Sequence, residues 1–416
     1  MIVKPFRGLR PRSDLAERIP SYPYDVVDST EARRIAEGNP YSFLHVIKPE
    51  IDLDPGVDPF DDRVYAMGVE NFRRMIDEGW IVRDERPAYY VYRLTMGDHS
   101  QTGIVGAAAV EDYDNGKIKR HEHTRPDKEK DRIRLNSALS AHPGPVFLAY
   151  GGLPELNALV NGIVAGKPQV LFTAPDEIEH ALWLVDDPAQ VRKIETLFGH
   201  VPCSYVADGH HRAAAAAKIA AERSSGEQPT AADDPSRYFM AAHFPAGQLR
   251  ILDYNRVVRD LNGLDPETFV DRLREQGFHV KPKHRVKNPP SPESFGMYLD
   301  GEWYLLTPGP ELIPRDIVGE LDVSILTDRI LQPLLGIGDP RTDKRLDFVG
   351  GIRGMKELER LVDSGAHEVA FALYPTSLAN VMTVADAGRV MPPKSTWFEP
   401  KLRSGMVIQS IEGDQL

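Results

Sequence analysis

The sequence contains one cysteine, Cys203. An intramolecular disulfide is therefore impossible, and without a CxxC pair no cysteine-based zinc site is available. No apolar run approaches the roughly 20 residues that span a bilayer. The opening Met1-Ile2-Val3-Lys4-Pro5-Phe6-Arg7 lacks the apolar stretch of a signal peptide. Basic residues are outnumbered, 50 Lys and Arg against 62 Asp and Glu, giving a formal charge of -12. Phosphate contacts need local Lys and Arg, so general nucleic-acid binding is disfavoured, although net charge does not describe a cleft. No repeat of fixed period is present. These absences point to a soluble, cytoplasmic chain with neither nucleic acid nor a membrane as partner.

At 416 residues the chain exceeds the usual size of a single core, so two or three substructures are expected. Hydrophobic residues make up 41% and charged residues 27%, which argues for globular structure and against long disorder. Residues 30–38 read as a helix capped by Thr30 and ended by Gly38, and 43–47 as a short strand. Residues 63–78 carry apolar residues at helical spacing and stop at Gly79. Residues 88–94 and 102–113 read as a hairpin turning at Gly97-Asp98, and 126–141 as an exposed charged helix. Strands are expected at 145–150, 169–173, 180–185 and 203–206, a helix at 188–198, and an Ala-rich helix at 211–223. A polar loop at 224–235 precedes strands at 237–244 and 249–253. The basic, Pro-rich stretch 281–292 is the best candidate for a boundary, and strands follow at 294–299 and 302–306. Because several neighbouring strands look antiparallel, the fold class is α+β, with mixed, largely antiparallel sheets and flanking helices. Residues 1–280 form the main region and 281–416 a C-terminal α+β region contributing to the same cleft.

Reactive groups crowd Ala207-Asp208-Gly209-His210-His211-Arg212. A buried strand ends, glycine permits a tight turn, and a helix begins whose opening N–H groups and dipole suit a phosphate or carboxylate. Arg212 can add a planar fork to the same anion. Asp208 can hold Mg²⁺ or accept an alcohol proton, and His210 and His211 can donate to phosphate oxygens. The bland alternative is an Asp cap beside surface histidines. A second candidate is Arg120-His121-Glu122-His123-Thr124-Arg125. If extended, His121 and His123 point one way as a metal pair and Glu122 the other, or Glu122 is the reactive group; an exposed strand end is the alternative. The HExxH spacing of a zinc peptidase is absent. In the third run, Met391-Pro392-Pro393-Lys394-Ser395-Thr396-Trp397-Phe398-Glu399-Pro400-Lys401, Lys394, Ser395 and Thr396 offer a cation and two hydroxyls as an anion clamp; a rigid loop packing Trp397 and Phe398 is the alternative. Weaker signals are the Gly-rich turn after Asp347, Asp25 beside Tyr24, and Cys203, which reads as core.

These segments, together with Pro5-Phe6-Arg7-Gly8-Leu9-Arg10-Pro11, Tyr22-Pro23-Tyr24-Asp25-Val26-Val27, Gly38-Asn39-Pro40-Tyr41-Ser42-Phe43-Leu44 and Asp347-Phe348-Val349-Gly350-Gly351, resemble the DUF1015 family over nearly the whole chain. The Asp-Gly-His-His-Arg run is also similar to the nucleotide-binding motif of ParB/sulfiredoxin-like domains, some of which phosphorylate free serine. That resemblance implies a ParB/sulfiredoxin-like nucleotide-binding core. It implies that Asp208, Gly209, His210, His211 and Arg212 hold nucleotide phosphates and Mg²⁺, that Asp208 is the metal ligand, and that Glu122 deprotonates a hydroxyl. The motif has no Cys, so sulfiredoxin activity is not expected, and no basic helix-turn-helix is seen. The resulting expectation is a small-molecule kinase using ATP or ADP on an acceptor such as L-serine, with a homodimer allowed. A metal-dependent hydrolase with ligands His121, His123, Asp208 and His210, and a nucleotide-binding protein without turnover, are the alternatives.

Overall fold

The computed structural model describes residues 1–225, 231, 233–283 and 288–413. They fall into two units, residues 1–249 with the segment from Pro400 onward, and residues 250–399. The division thus lies before 281, and the C-terminal segment returns to the first unit. Part of the 281–292 stretch, residues 284–287, lies outside the described residues, as do parts of the 224–235 loop. Lys281, Pro282 and Lys283 belong to the strand Phe278–Lys283, which among the described residues pairs only with Glu302–Pro308 at one end of its sheet. An edge strand tolerates Lys and Pro because one row of its backbone groups needs no partner, so a strand can carry a composition that reads as linker.

The fold is mixed α+β with largely antiparallel sheets. Among the described residues the first unit has a nine-stranded sheet. Its order is Ile118–Lys119, Ser204–Asp208, Val146–Tyr150, Tyr238–Pro245, His99–Ala109, Tyr89–Met96, Glu179–Val185 and Val170–Thr173, with Val3–Lys4 added beside His99–Ala109. Two pairs are parallel, Ile118–Lys119 with Ser204–Asp208 and Val146–Tyr150 with Tyr238–Pro245; the rest are antiparallel. Met96 pairs with His99, so the hairpin turns on Gly97 and Asp98, and Gly97 supplies the positive φ of 59° that a two-residue turn requires. The strand Val146–Tyr150 is buried at every position, which explains why it reads as a continuous apolar run. The Ala-rich helix His210–Ser224 packs small side chains against this sheet, with Ala213, Ala216 and Ala220 in the core.

Several local expectations need correction. Residues 44–47 form a short helix, Leu44–Ile47, not a strand; Leu44, Val46 and Ile47 are all buried, so no polar face discloses the helical period. The helix expected over 30–38 spans Ser29–Ala36, and its cap is Asp28, whose carboxylate accepts from the Glu31 amide at 2.8 Å. Helix Pro126–Leu139 is charged but not simply exposed. It buries Asp131 and Arg132, the guanidinium donating to its neighbour's carboxylate and stacking 3.8 Å from the Tyr24 ring centre, while the Tyr65 hydroxyl donates to Asp131 at 2.9 Å. Residues 110–113 leave the strand and begin the helix Val110–Asp114.

The second unit has a six-stranded antiparallel sheet ordered Phe278–Lys283, Glu302–Pro308, Phe295–Leu299, Val369–Leu373, Tyr254–Val258 and Leu346–Gly350. Helices Pro266–Glu275 and Leu378–Asp386 bury Phe269, Leu273, Val381 and Val384 in its larger core, and Met355–Asp363 places Leu358 and Val362 in a smaller one. Among the described residues, no helix is long and apolar enough to cross a membrane.

Two outcomes follow from these contacts. Replacing Asp28 with Ala should cost about 1 kcal/mol and accelerate hydrogen exchange at the Glu31 amide, whereas Thr30→Ala should leave that amide unchanged. Four buried histidines set an acid limit. Burial pushes His121 and His142 down to about 4, and His180 and His243 to about 3, from an ordinary value of 6.5. They stay neutral in the fold but take up protons when unfolded, so their contribution is complete above pH 6.5 and is lost as pH falls toward 4 and then 3. The urea midpoint of the first unit should therefore fall on acidification through this window; a midpoint rising there would contradict the burial argument.

Candidate functional site

The strand Ser204–Asp208 lies between Val146–Tyr150 and Ile118–Lys119, and its register against Val146–Tyr150 slips between Val206 and Asp208. Such an irregularity re-aims the final side chain, and here that side chain is the Asp208 carboxylate. Gly209 follows with φ 95° and ψ 32°, a left-handed conformation that opens the helix His210–Ser224 without any side-chain cap. A Cβ at Gly209 would sit 2.9 Å from the Arg212 guanidinium carbon. The conformation therefore favours glycine at this turn, and a larger residue would also displace the Arg212 guanidinium.

Around that turn the structure gathers three charged groups, two from the turn itself and one from near the end of the chain. Lys401 Nζ donates to Asp208 Oδ2 at 3.1 Å, and Arg212 Nη2 stands 3.8 Å from the same oxygen. Arg212 Nη1 donates to the Pro145 carbonyl, while its buried Nε has no hydrogen-bond partner. Burial alone would raise the Asp208 carboxyl, but Lys401 and Arg212 outweigh it and hold the group well below the usual carboxylate range. Sequence reasoning missed Lys401. The run 391–401 reads as one loop, yet Met391 to Glu399 belong to the second unit, and Pro400 and Lys401 to the first.

Beside this group lie two histidines and a glutamate. His210 is buried, with Nδ1 3.7 Å from Glu122 Oε2 and Nε2 without a hydrogen-bond partner. Its ring meets His121 edge-on, with centroids 4.5 Å apart and planes at 88°. Burial and the neighbouring His121 push His210 well below its ordinary value; Asp208 pulls the other way and loses. The ring is therefore neutral near pH 7. His211 accepts from the Arg125 amide at Nε2, 3.0 Å, and so ties the 120–125 loop to the helix start. That nitrogen is thus not the phosphate donor the motif suggests.

The strand carrying this loop ends at Lys119, so the alternation expected for an extended segment does not apply. His121 is buried and His123 exposed. Among the described residues no three His, Cys, Asp or Glu side chains converge as a metal cage, so the four-ligand set His121, His123, Asp208 and His210 is not assembled. Asp208 alone suits Mg²⁺, which usually keeps waters and takes one or two carboxylates together with substrate phosphates.

In the second unit Lys394 has φ 59°, and the Arg256 guanidinium donates to the carbonyls of Pro393 and Lys394 at 3.4 and 3.0 Å. Ser395 Oγ donates to the Pro392 carbonyl at 2.6 Å, and Thr376 Oγ1 to the Ser395 carbonyl at 2.9 Å. The serine hydroxyl proton that the sequence offers to an anion thus closes the turn. The glycine turn after Asp347 is structural as well: the Gly351 amide donates to the Asp253 carbonyl at 2.7 Å, and a Cβ there would clash with the Asp253 carboxylate. Near the N-terminus, Tyr24 and Asp25 line a cavity of about 410 Å³ with Lys48, Glu50, Lys128 and Arg132. Arg132 and Tyr24 also border a smaller enclosed space that Arg212 lines.

No curated protein matches the chain. Among solved structures, a free serine kinase mutant in complex with AMP is 12% identical, with 71% of this chain and 87% of that one covered and a TM-score of 0.37. SbnI with a C-terminal truncation, from Staphylococcus aureus, is 12% identical over 75% of this chain and 90% of that one, TM-score 0.39. A conserved hypothetical protein from Pyrococcus furiosus is 14% identical over 73% and 93%, TM-score 0.36. The family described as "Protein of unknown function (DUF1015)" matches residues 3–324, a span that holds Glu122, Asp208 and the helix start between them. The chain belongs to the DUF1015 family.

Proposed function

We propose that the first unit is a cytoplasmic small-molecule kinase that transfers a phosphoryl group from ATP or ADP to a hydroxyl acceptor such as free L-serine. The observation that carries this reading is the meeting of Glu122 with His210 at a helix start, beside the strand-end residue Asp208, which is neutralised by two cations. The reading rests on this geometry and not on the distant structural likenesses. Phosphoryl transfer asks a protein chiefly for positioning and charge neutralisation, and the groups present supply both.

In this reading the nucleotide phosphates lie against the uncapped first turn and the Arg212 side. Glu122 accepts the acceptor's hydroxyl proton. The hydroxyl oxygen bonds to the terminal phosphorus as the bond to the bridging oxygen breaks, its electron pair leaving with the nucleotide. Asp208 would hold Mg²⁺, which supplies charge neutralisation on the phosphate oxygens when bound. Neutral His210 orients Glu122 on one side and offers its second ring nitrogen on the other. A neutral ring fits this place better than a charged one, since a cation between Glu122 and Asp208 would bind both carboxylates and withdraw the base. A ParB/sulfiredoxin-like core is part of the same proposal.

Incubation with ADP or ATP, Mg²⁺ and L-serine should yield phosphoserine, and nucleotide should raise the melting temperature; absence of both would sink the kinase reading. Glu122→Gln should lower turnover by about 10²–10⁴-fold with nucleotide affinity nearly unchanged, as expected for removal of a general base. Binding without turnover in the wild-type protein would favour the nucleotide-sensing alternative. For the second unit, the expected role of Lys394 and Ser395 is tested through Lys394→Ala, which should weaken nucleotide binding by about tenfold if they touch phosphate. Unchanged affinity would remove them from the site.

A further inference from the structure

Lys401 reaches Asp208 because the chain around it is fixed on both sides. Just before it, the Pro400 carbonyl accepts from buried Gln101 Nε2 at 3.2 Å. Just after it, Arg403 is buried with its guanidinium on Asp176 and its Nε 3.3 Å from His180 Nε2. Tyr22 donates to the same Asp176 oxygen at 2.8 Å, and the Tyr92 hydroxyl and His180 Nδ1 are 2.7 Å apart. Ser404 and Ser21 exchange backbone hydrogen bonds at 2.9 and 3.0 Å, and the Gly405 amide donates to the Pro143 carbonyl at 3.0 Å. A lysine held this way gives up side-chain freedom that a surface lysine keeps. A surface ion pair of small worth does not call for such an anchor.

The surroundings point to a ligand. Asp208 is shared by two cations, Lys401 and Arg212. Within the same cluster two buried nitrogens, Arg212 Nε and His210 Nε2, have no hydrogen-bond partner. Orphaned buried polar atoms cost stability unless something completes them, Arg212 Nε is a donor in every state, and the helix beside them begins without a side-chain cap. A multivalent oxyanion meets these needs together, since its oxygens can accept from the Arg212 guanidinium and from the Lys401 ammonium beside it.

We propose that Lys401 is an anion-binding residue of this site, its ammonium bridging Asp208 and a phosphate oxygen of the bound ligand. The proposal rests on the reading of the helix start as a phosphate site, and it adds a residue from the segment beyond the family match, which ends at 324. The second cation of the site then comes from the returning C-terminal segment and not from the Asp-Gly-His-His-Arg run.

The test is calorimetric titration of the full chain with ADP, with pyrophosphate and with adenosine. Lys401→Met should weaken ADP and pyrophosphate by about tenfold or more, and Lys401→Arg should restore most of that loss. Adenosine, which carries no phosphate, should bind both variants as it binds the wild type. Circular dichroism and the urea midpoint identify a variant that fails to fold, and Lys401→Arg keeps the proposal testable in that case. Equal affinity of wild type and Lys401→Met for ADP and pyrophosphate would overturn the proposal, as would wild-type protein binding neither. Normal ADP binding without phosphate transfer to any acceptor would instead overturn the kinase reading and leave Lys401 in place.

Discussion

A carboxylate at the end of a buried strand has to be neutralised, and the solution found for Asp208 shapes everything near it. Arg212 comes from the first turn of the following helix, with its guanidinium beside Gly209, which adopts a left-handed conformation. Lys401 comes from the far end of the sequence and is reached only because Arg403 and Ser404 are locked into the same unit. With two cations on one carboxylate, the adjacent histidines can stay neutral, and burial keeps them so. Glu122 then faces a ring without charge.

The sequence disclosed the local half of this arrangement. A strand ending in Asp, a glycine, and an alanine-laden helix are each strong signals, and their order predicts the turn. Glu122 was legible as a reactive candidate through its neighbours, but its meeting with His210 depends on the parallel pairing of Ile118–Lys119 with Ser204–Asp208, which no local pattern announces. Lys401 was invisible for a related reason. It stands in a proline-bounded run whose earlier members fold with other partners, and composition does not mark where a run changes allegiance. Residues 281–283 read as linker because a short edge strand may carry lysines and proline without loss of pairing. Residues 44–47 were misread because one helical turn with three of its four side chains buried is too short to display a period. By contrast the hairpin at Gly97 and the helix Asp62–Asp77, ended by Gly79, were legible from turn and cap residues alone.

The second unit carries its own unusual electrostatics. Arg256 is almost wholly buried, and its guanidinium donates to the backbone carbonyls of Tyr254, Pro393 and Lys394. Burial lowers it to about 10, still charged at neutral pH. Its work is to pin the turn after the two prolines, and Lys394 takes a left-handed conformation there. The aromatic neighbours Tyr254 and Trp397 pack edge-on at 5.0 Å, so the same turn also closes a small core. A run that looks like a ligand clamp in sequence is thereby at least a structural fastening.

The route of the chain has a consequence for biosynthesis. The polypeptide leaves the first unit at Leu249 and comes back at Pro400, so a ribosome completes the whole second unit before the returning segment exists. Until then Asp208 lacks one of its two counter-charges, and Leu9 and Ser21 lack the backbone partners Ile408 and Ser404. Nascent first units must therefore wait with the Asp208 cluster unfinished, and its completion depends on contacts of large sequence separation, which are slow to close. A newborn chain interrupted before residue 401 would already possess most of its sheet while lacking the ammonium at Asp208.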